Sequence, residues 1–391
     1  MDIENSYGRY FLQVFFQLIE SPYSLNILYY IAKPDKYRAE PSEHCAKSIL
    51  DILNEGSIVS VDSLLSSDSK NLEMNIHFLS VFSNYESSSF VEFTSKILNI
   101  IVDLSQIPQI RPSVRFECLS FISFTLSQKS ASTIYDIFIH KKKFIESIFS
   151  IEPNDRNERI QELNILNILQ NKFKNNYINK SEEHDEEDEE GDDFDGINPA
   201  SIVLNNGLFP FVLCSLKINM DENPKNEELI DFDVACYALD IIKEMATVGC
   251  EVTKFLFQEE VLQIIFDLLS KGGNFYICVR SLMAILEILI NSDVDQKNLI
   301  VQNGFFDILG LFVEILPSSD LIELVNDLEK LIEISISETN EFLVNSLLNT
   351  QSLMEQLDDL SLDDNRMVAP TVNDFMMKVK SLTEQSPEEA S

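Results

Sequence analysis

Apolar positions recur along this chain at the spacing typical of amphipathic helices, in six segments that align without gaps. These segments are NIHFLSVFSN (75–84), VRFECLSFISF (114–124), ELNILNILQ (162–170), ACYALDIIKEM (235–245), VRSLMAILEIL (279–289) and DLEKLIEISI (327–336). The central apolar residues, here termed anchors, are Leu79, Leu119, Leu166, Leu239, Ile285 and Leu331. Consecutive anchors are 40, 47, 73, 46 and 46 residues apart. A helical pattern repeated at a period in the forties predicts a solenoid of stacked helices.

Three further segments each read as a short apolar helix, a break and a longer amphipathic helix. They are IVLNNGLFPFVLCSL (202–216), LFQEEVLQIIFDLL (256–269) and LIVQNGFFDILGLFVEIL (299–316). Gly207 and Gly304 stand at two of the breaks, where a residue without Cβ favours a left-handed turn. Glu260 takes the equivalent position in the middle segment, so the pattern predicts a different turn there.

The one long step between anchors contains a run of acidic residues. Eleven of the fourteen residues from Glu182 to Asp195 are acidic, which predicts a disordered insert over 180–199. The remaining chain divides into an N-terminal helical cap (1–60), degenerate repeats (61–179), clearer repeats (200–350) and an acidic C-terminal tail (351–391).

The segments LIVQNGFFDILGLFVEIL and VRSLMAILEIL resemble the armadillo family, whose units carry a similar apolar pattern around a glycine. The resemblance covers roughly residues 65–350 and is strongest over 200–316; HEAT repeats have a similar period and stay an alternative. It implies an all-α fold: a right-handed armadillo-like solenoid of about six helical repeats with an N-terminal helical cap. It also implies a concave groove that holds another protein.

In the best-known peptide-binding armadillo proteins, a Trp and an Asn four residues apart hold an extended peptide in this groove. The chain has no Trp, so a receptor for nuclear-localisation signals is not expected. Acidic residues at these positions would attract cations, although ordinary solvated carboxylates are the alternative. The candidate groove residues are His77, Glu117, Phe121, Asn164, Tyr237, Met283, Glu287, Glu329 and Glu333.

The formal charge of −36 excludes several classes of partner. Without the eleven acids of the insert the charge is still −25, so the repeats are acidic too. Such a surface repels nucleic acids and anionic lipids, and we expect neither as a partner. A protein or peptide with a basic surface is expected instead.

Six scattered cysteines without a CxxC pair predict buried, reduced thiols, and hence a cytoplasmic protein. The leucines of LMEQLDDLSL, namely Leu353, Leu357, Leu360 and Leu362, fit the spacing of a nuclear export signal, which would imply shuttling through the nucleus. The alternative is that they belong to the last amphipathic helix of the solenoid.

No phosphate-binding loop, nucleophile motif or metal-ligand motif occurs in the chain, so we expect neither enzymatic activity nor a cofactor nor a bound metal. The sequence favours a non-enzymatic adaptor or scaffold that holds a protein partner in its groove. Two alternatives share the fold: a nucleotide-exchange or co-chaperone regulator of a 70-kDa heat-shock chaperone, and a regulatory subunit of a phosphatase or kinase.

Overall fold

Helices are the only regular elements among the residues described by the computed structural model, which confirms the all-α prediction there. The described residues are 27–30, 39–55, 61–66, 71–85, 88–128, 145, 148–151, 153, 155–182, 198–217, 232–271, 274–362 and 367–385. The chain divides into two units, residues 1–207 and 208–391.

The first unit stacks its helices one against the next. Its described helices are α1 (Ala39–Glu55), α2 (Val61–Leu64), α3 (Leu72–Ser80), α4 (Ser88–Ser105), α5 (Pro112–Gln128), α6 (Arg156–Glu182) and α7 (Pro199–Leu204), with a 3₁₀ turn at Val81–Asn84. Helix α5 packs against α3, α4 and α6. The anchors Leu79, Leu119 and Leu166 lie on α3, α5 and α6, and each is completely buried.

A buried ionic cluster joins α5 to α6. The side chain of Arg115 is 1% exposed; its Nη2 donates to Glu162 Oε1 at 2.7 Å and to the carbonyl of Ile151 at 3.0 Å, and its Nη1 donates to Glu158. Burial raises the pKa of Glu162 to about 7, although the Arg115 charge opposes this shift. A single arginine therefore satisfies two buried carboxyl groups of the neighbouring helix.

The second unit is built from sets of three consecutive helices. Its described helices are α8 (Phe209–Lys217), α9 (Phe232–Ala246), α10 (Cys250–Gln258), α11 (Val261–Lys271), α12 (Phe275–Asn291), α13 (Val294–Gln302), α14 (Phe305–Val313), α15 (Ser318–Ser337), α16 (Glu341–Asn349), α17 (Gln351–Ser361) and α18 (Ala369–Gln385). Side chains of Asn274, Asp293 and Asn340 cap the first turns of α12, α13 and α16, which fixes where these helices begin.

The last helix of each set packs on the last helix of the next. Helix α9 lies against α12, α12 against α15, and α15 against α18. The anchors Leu239, Ile285 and Leu331 lie on α9, α12 and α15 and have no exposed surface. The spacing of the anchors therefore identified helices that stack in series, as the repeat prediction requires.

The helical array continues past residue 350. Helices α16, α17 and α18 form a further three-helix set, and α18 buries Val372, Phe375, Met376 and Val379 against its neighbours. Phe375 follows Leu331 by 44 residues, in step with the other anchors. The predicted tail (351–391) thus contains packed helices. Pro370 lies in the first turn of α18, where proline is tolerated.

The three breaks identified in the sequence between short and longer helices use left-handed backbone. Gly207 and Gly304 have φ of +66° and +80°, as predicted, and Glu260 has φ of +59°. The expectation of a different turn at Glu260 is therefore wrong: the glutamate adopts the same conformation, at a cost that glycine avoids.

The predictions on the cysteines, the acidic insert and the N-terminal cap concern residues that the structure describes only in part. Of the cysteines, Cys118 and Cys278 are buried as expected, but Cys214 is exposed, so burial does not hold for every thiol. Helices α6 and α7 occupy the two ends of the predicted insert (180–199), while most of its acids, at 183–197, lie outside the described residues. So do residues 1–26 of the predicted cap.

Gly304→Ala is expected to lower the free energy of unfolding by about 1 kcal/mol, because alanine tolerates positive φ poorly. Crowding is not the cause, since the added Cβ would come no closer than 3.9 Å to Asp307 Oδ2. The opposite change at the equivalent turn, Glu260→Gly, is expected to raise the stability. Urea denaturation of both variants measures these opposite changes in stability. If the two unfolding midpoints shift in the same direction, positive φ is not the cause of the changes.

Arg115→Met is expected to lower the free energy of unfolding by about 3–5 kcal/mol, because Glu158 and Glu162 would remain buried without their shared cation. The triple variant Arg115→Met, Glu158→Leu, Glu162→Leu should recover most of this loss, since an apolar cluster of similar volume needs no counter-charge. Both are compared with the wild type by urea denaturation. A single variant at least as stable as the triple variant would refute the proposed role of the cluster.

Candidate functional site

Three of the predicted groove residues of the first unit line one small pocket. His77 on α3 and Glu117 and Phe121 on α5 surround a volume of about 200 Å³ together with Tyr29. The His77 ring stacks on Tyr29 with their centroids 4.6 Å apart. Burial, with a contribution from the Glu73 charge, raises the pKa of Glu117. The fourth predicted residue, Asn164 on α6, donates to Ser123 Oγ at 2.7 Å and so bridges α6 to α5.

In the second unit, Tyr237 lies in a pocket between α9 and α12, here termed the tyrosine pocket. It has a volume of about 380 Å³. It is lined by Asp233, Cys236, Tyr237, Asp240, Tyr276 and Arg280. Arg280 Nη1 lies 3.3 Å from Asp240 Oδ1, and burial together with the charges of Asp233 and Asp240 raises the pKa of Tyr237. Two aromatic rings beside two carboxylates suit a cationic side chain.

Next to this pocket, the packing of α9, α12 and α15 brings five carboxylates together. This acidic patch consists of Asp240 and Glu244 on α9, Glu287 on α12, and Glu323 and Asp327 on α15. Glu244 and Glu287 are only 8% and 7% exposed. Asn291 Nδ2 donates to Glu287 Oε1 at 2.7 Å and holds that carboxylate in place.

One lysine interacts with all five members of the patch. Lys243 forms an ion pair with Glu323 and also feels the charges of the four other carboxylates. Burial lowers the pKa of Lys243, but the hydrogen bond and charge of Glu323, with the charges of Glu244 and Glu287, outweigh this effect and leave the pKa raised. Arg280 and Lys330 add positive charge only beside Asp240 and Asp327.

The carboxylates of the patch are therefore incompletely neutralised. Burial, reinforced by Glu287 and Glu323, raises the pKa of Asp327 to about 6. Burial also raises the pKa of Asp240 to about 6, against the opposing charges of Arg280 and Lys243. Both groups ionise less readily than an ordinary aspartate, chiefly because burial disfavours their charged form and the nearby cations do not offset this penalty.

The predicted groove residues of this unit only partly coincide with the patch. Glu287 belongs to it, while Met283, on the same helix, is 4% exposed and packs in the core. Glu329 and Glu333 instead pair with Lys378 of α18. The acids that α15 presents to α12 are Glu323 and Asp327, which the alignment of anchors did not identify.

The leucines of the predicted export signal are divided between core and surface. Leu353 and Leu357 on α17 are completely buried, Leu360 is half-buried, and Leu362 is 78% exposed. Helix α17 packs on α14 so closely that a Cβ added to Gly310 would lie 2.9 Å from the Leu353 nitrogen. This placement favours the alternative interpretation, a helix of the solenoid, because a receptor could reach the first two leucines only after α17 detaches.

The described part of the chain shows neither a group of metal ligands nor a helix suited to span a membrane. Within it, no three His, Cys, Asp or Glu side chains are grouped in a way that could hold a metal ion. None of its helices combines the length and the apolar character needed to cross a membrane.

Comparison with known proteins yields structural likeness only. No protein-family model and no curated protein sequence matches the chain. Of the solved structures, an engineered protein from the Northeast Structural Genomics Consortium has a TM-score of 0.48 at 12% identity, over 94% of this chain and 98% of its own. A second engineered protein from that consortium has a TM-score of 0.43 at 12% identity, over 85% of this chain and 98% of its own. A designed armadillo repeat protein has a TM-score of 0.42 at 10% identity, over 81% of this chain and 96% of its own. The helical-repeat fold is established here by the buried anchors and the serial helix contacts of the chain itself.

Asp327→Asn is expected to raise the free energy of unfolding at pH 7 by on the order of 1 kcal/mol, an amount that allows for solvent screening of a part-exposed group. The pKa of about 6 in the folded chain lies above the ordinary 3.8, so this group favours folding when protonated. Its contribution to stability therefore declines as the pH rises from about 4 to about 6.

Urea denaturation between pH 4 and pH 7 measures both effects. The free energy of unfolding of Asp327→Asn should depend less on pH than that of the wild type. At pH 4 the variant should be little more stable than the wild type. Asp359→Asn, at an exposed position on α17, serves as the control. If the two variants behave alike at pH 7, crowding of the patch is not the source of the effect.

Proposed function

We propose that this protein is a non-enzymatic helical-repeat scaffold that binds a basic segment of a partner protein across the acidic patch. The observation that carries the proposal is the charge imbalance of the patch, in which five carboxylates on α9, α12 and α15 share Lys243, while Arg280 and Lys330 lie beside Asp240 and Asp327. Asp240 and Asp327, whose pKa values are raised, lower the stability of the free chain at neutral pH. A cationic partner would relieve this cost on binding.

The tyrosine pocket supports a more specific version of the proposal. It adjoins the patch through Asp240, which belongs to both. Tyr276 is 69% exposed, so an arriving side chain can reach its ring without displacing the core. A lysine or arginine of the partner would place its charge between the carboxylates and its apolar stem against the tyrosine rings.

Charge selects the class of partner. A patch of this sign on a chain of formal charge −36 attracts basic peptides over long range and repels nucleic acids and anionic membranes. The apolar surfaces that would provide much of the affinity are few near the patch. We therefore infer binding that is fast, selective for cations and sensitive to salt.

The test uses a labelled peptide of about ten residues with several lysines and a matched peptide with glutamates in their place. The double variant Glu323→Gln, Asp327→Asn should bind the lysine peptide about tenfold more weakly in fluorescence anisotropy, equivalent to about 1.4 kcal/mol, and with a shallower dependence on salt. Wild-type affinity should also fall as the pH is lowered through about 6, because protonation of Asp240 and Asp327 removes the attracting charge.

The control is Glu355→Gln, Asp359→Asn, which removes the same charge from exposed positions on α17. Equal loss of affinity in both double variants would mean that net charge alone governs binding. No loss in either would show that the patch does not bind the peptide. In either case the proposal fails.

A further inference from the structure

A second surface of this unit is apolar rather than charged. A groove of about 700 Å³ runs between α11 and α14 and reaches α10 and α13. Its lining includes Phe257, Leu262, Phe266, Leu299, Leu311 and Phe312. These helices are the first and second of their three-helix sets, whereas the acidic patch lies on third helices. The groove and the patch are therefore separate surfaces.

Some apolar side chains of the groove are exposed to solvent, so a partner that covered them would be stabilised by their burial. Of the lining residues, Leu311 is 69% exposed and Leu299 is 48% exposed. Single exposed leucines are common on protein surfaces, but here they converge on one concave volume.

Acidic residues border the groove. Glu259 and Glu260 lie between the lining residues Phe257 and Leu262, Asp307 precedes the lining residue Ile308, and Glu314 follows Phe312; all four acids are exposed. Among the described side chains of α10, α11, α13 and α14, the cations are Lys254 and Lys297, and both already pair with glutamates. The border is therefore anionic.

The chemistry of the lining restricts the conformation of an occupant. Apolar side chains form most of the lining, and its polar side chains, Gln263, Asp267, Ser270 and Asn303, already hydrogen-bond within the protein. A bound segment therefore has to satisfy its own backbone hydrogen bonds. A helix does so and can present one apolar stripe. Helix α11 has 11 residues, which corresponds to about 16 Å, so a partner helix of three turns matches the groove in length.

We propose that the groove between α11 and α14 binds an amphipathic helix of a partner protein, with leucine-type residues on the buried stripe and lysine or arginine at its flanks. Charge argues against a second copy of this chain, since two anionic borders would meet. It argues equally against an anionic membrane. The binding mode is that of a helix in a groove.

The test uses a labelled helical peptide of about 14 residues with leucines at helical spacing and lysines on both flanks. A peptide with glutamates for the lysines and a scrambled peptide of the same composition are its references. Leu311→Asn, a neutral change of similar size at an exposed position, should weaken binding about tenfold, equivalent to about 1.4 kcal/mol. Leu362→Asn, at a position 78% exposed and outside the groove, should leave affinity unchanged.

Three results would overturn the proposal: equal affinity of the wild type and Leu311→Asn, equal binding of the scrambled peptide, or loss of a wild-type dimer in Leu311→Asn by sedimentation velocity. The last result would identify a second copy as the occupant. Thermal melts confirm that both asparagine variants are folded. The double variant Glu323→Gln, Asp327→Asn should retain this binding, which distinguishes a failure of the groove from a failure of the acidic patch.

Discussion

The structure of the second unit depends on the burial of α12 from all sides. Its residues from Ile277 to Ile290 are buried except for Arg280, because α9 and α15 cover two faces while α10, α11 and α13 contact the others. A helix with so little polar surface has no stable state apart from its neighbours. The helices that carry the anchors Leu239 and Leu331 both pack against α12, so each set of three helices requires the next.

The same packing creates the electrostatic conflict of the unit. Glu287 lies within the buried stretch of α12, so α9 and α15 bring their own carboxylates to it as they cover the helix. Lys243 offsets part of this charge, but it does not overcome the burial that raises the pKa values of Asp240 and Asp327. The ion pairs of Lys378 with Glu329 and Glu333 are a contrast, since there one cation serves two exposed or half-buried carboxylates. Acid crowding at the α9–α12–α15 interface thus results from how these helices pack and not from an acidic composition alone.

Periodicity in the sequence correctly predicted where the repeated helices lie. It did not predict the side-chain contacts that depend on how two helices cross. Anchor spacing located α3, α5, α6, α9, α12 and α15, because a residue that must be buried recurs once per structural repeat. It placed Glu287 in the acidic surface but chose Glu329 and Glu333 on α15. The relative shift of two packed helices decides which turn faces the neighbour, and Glu323 and Asp327 lie one to two turns earlier.

The Arg115 cluster was missed for a similar reason, since its carboxylates come from a helix more than 40 residues away. For α18 the signal is present in the helical spacing of Val372, Phe375, Met376 and Val379, but the acidic character of 351–391 predicted a tail.

The two surfaces proposed for binding obey different physical rules, and this difference has consequences for regulation. Affinity at the acidic patch depends on ionised carboxylates and should fall with salt and with acidification through about pH 6. Affinity at the groove between α11 and α14 depends mainly on apolar contact with residues such as Leu299 and Leu311, so salt and pH should affect it less. A partner with a basic tail and an amphipathic helix could use both surfaces, and the second contact would then form at a high effective concentration. With such a partner, acidification through about pH 6 would release the partner's basic tail first and leave its amphipathic helix bound.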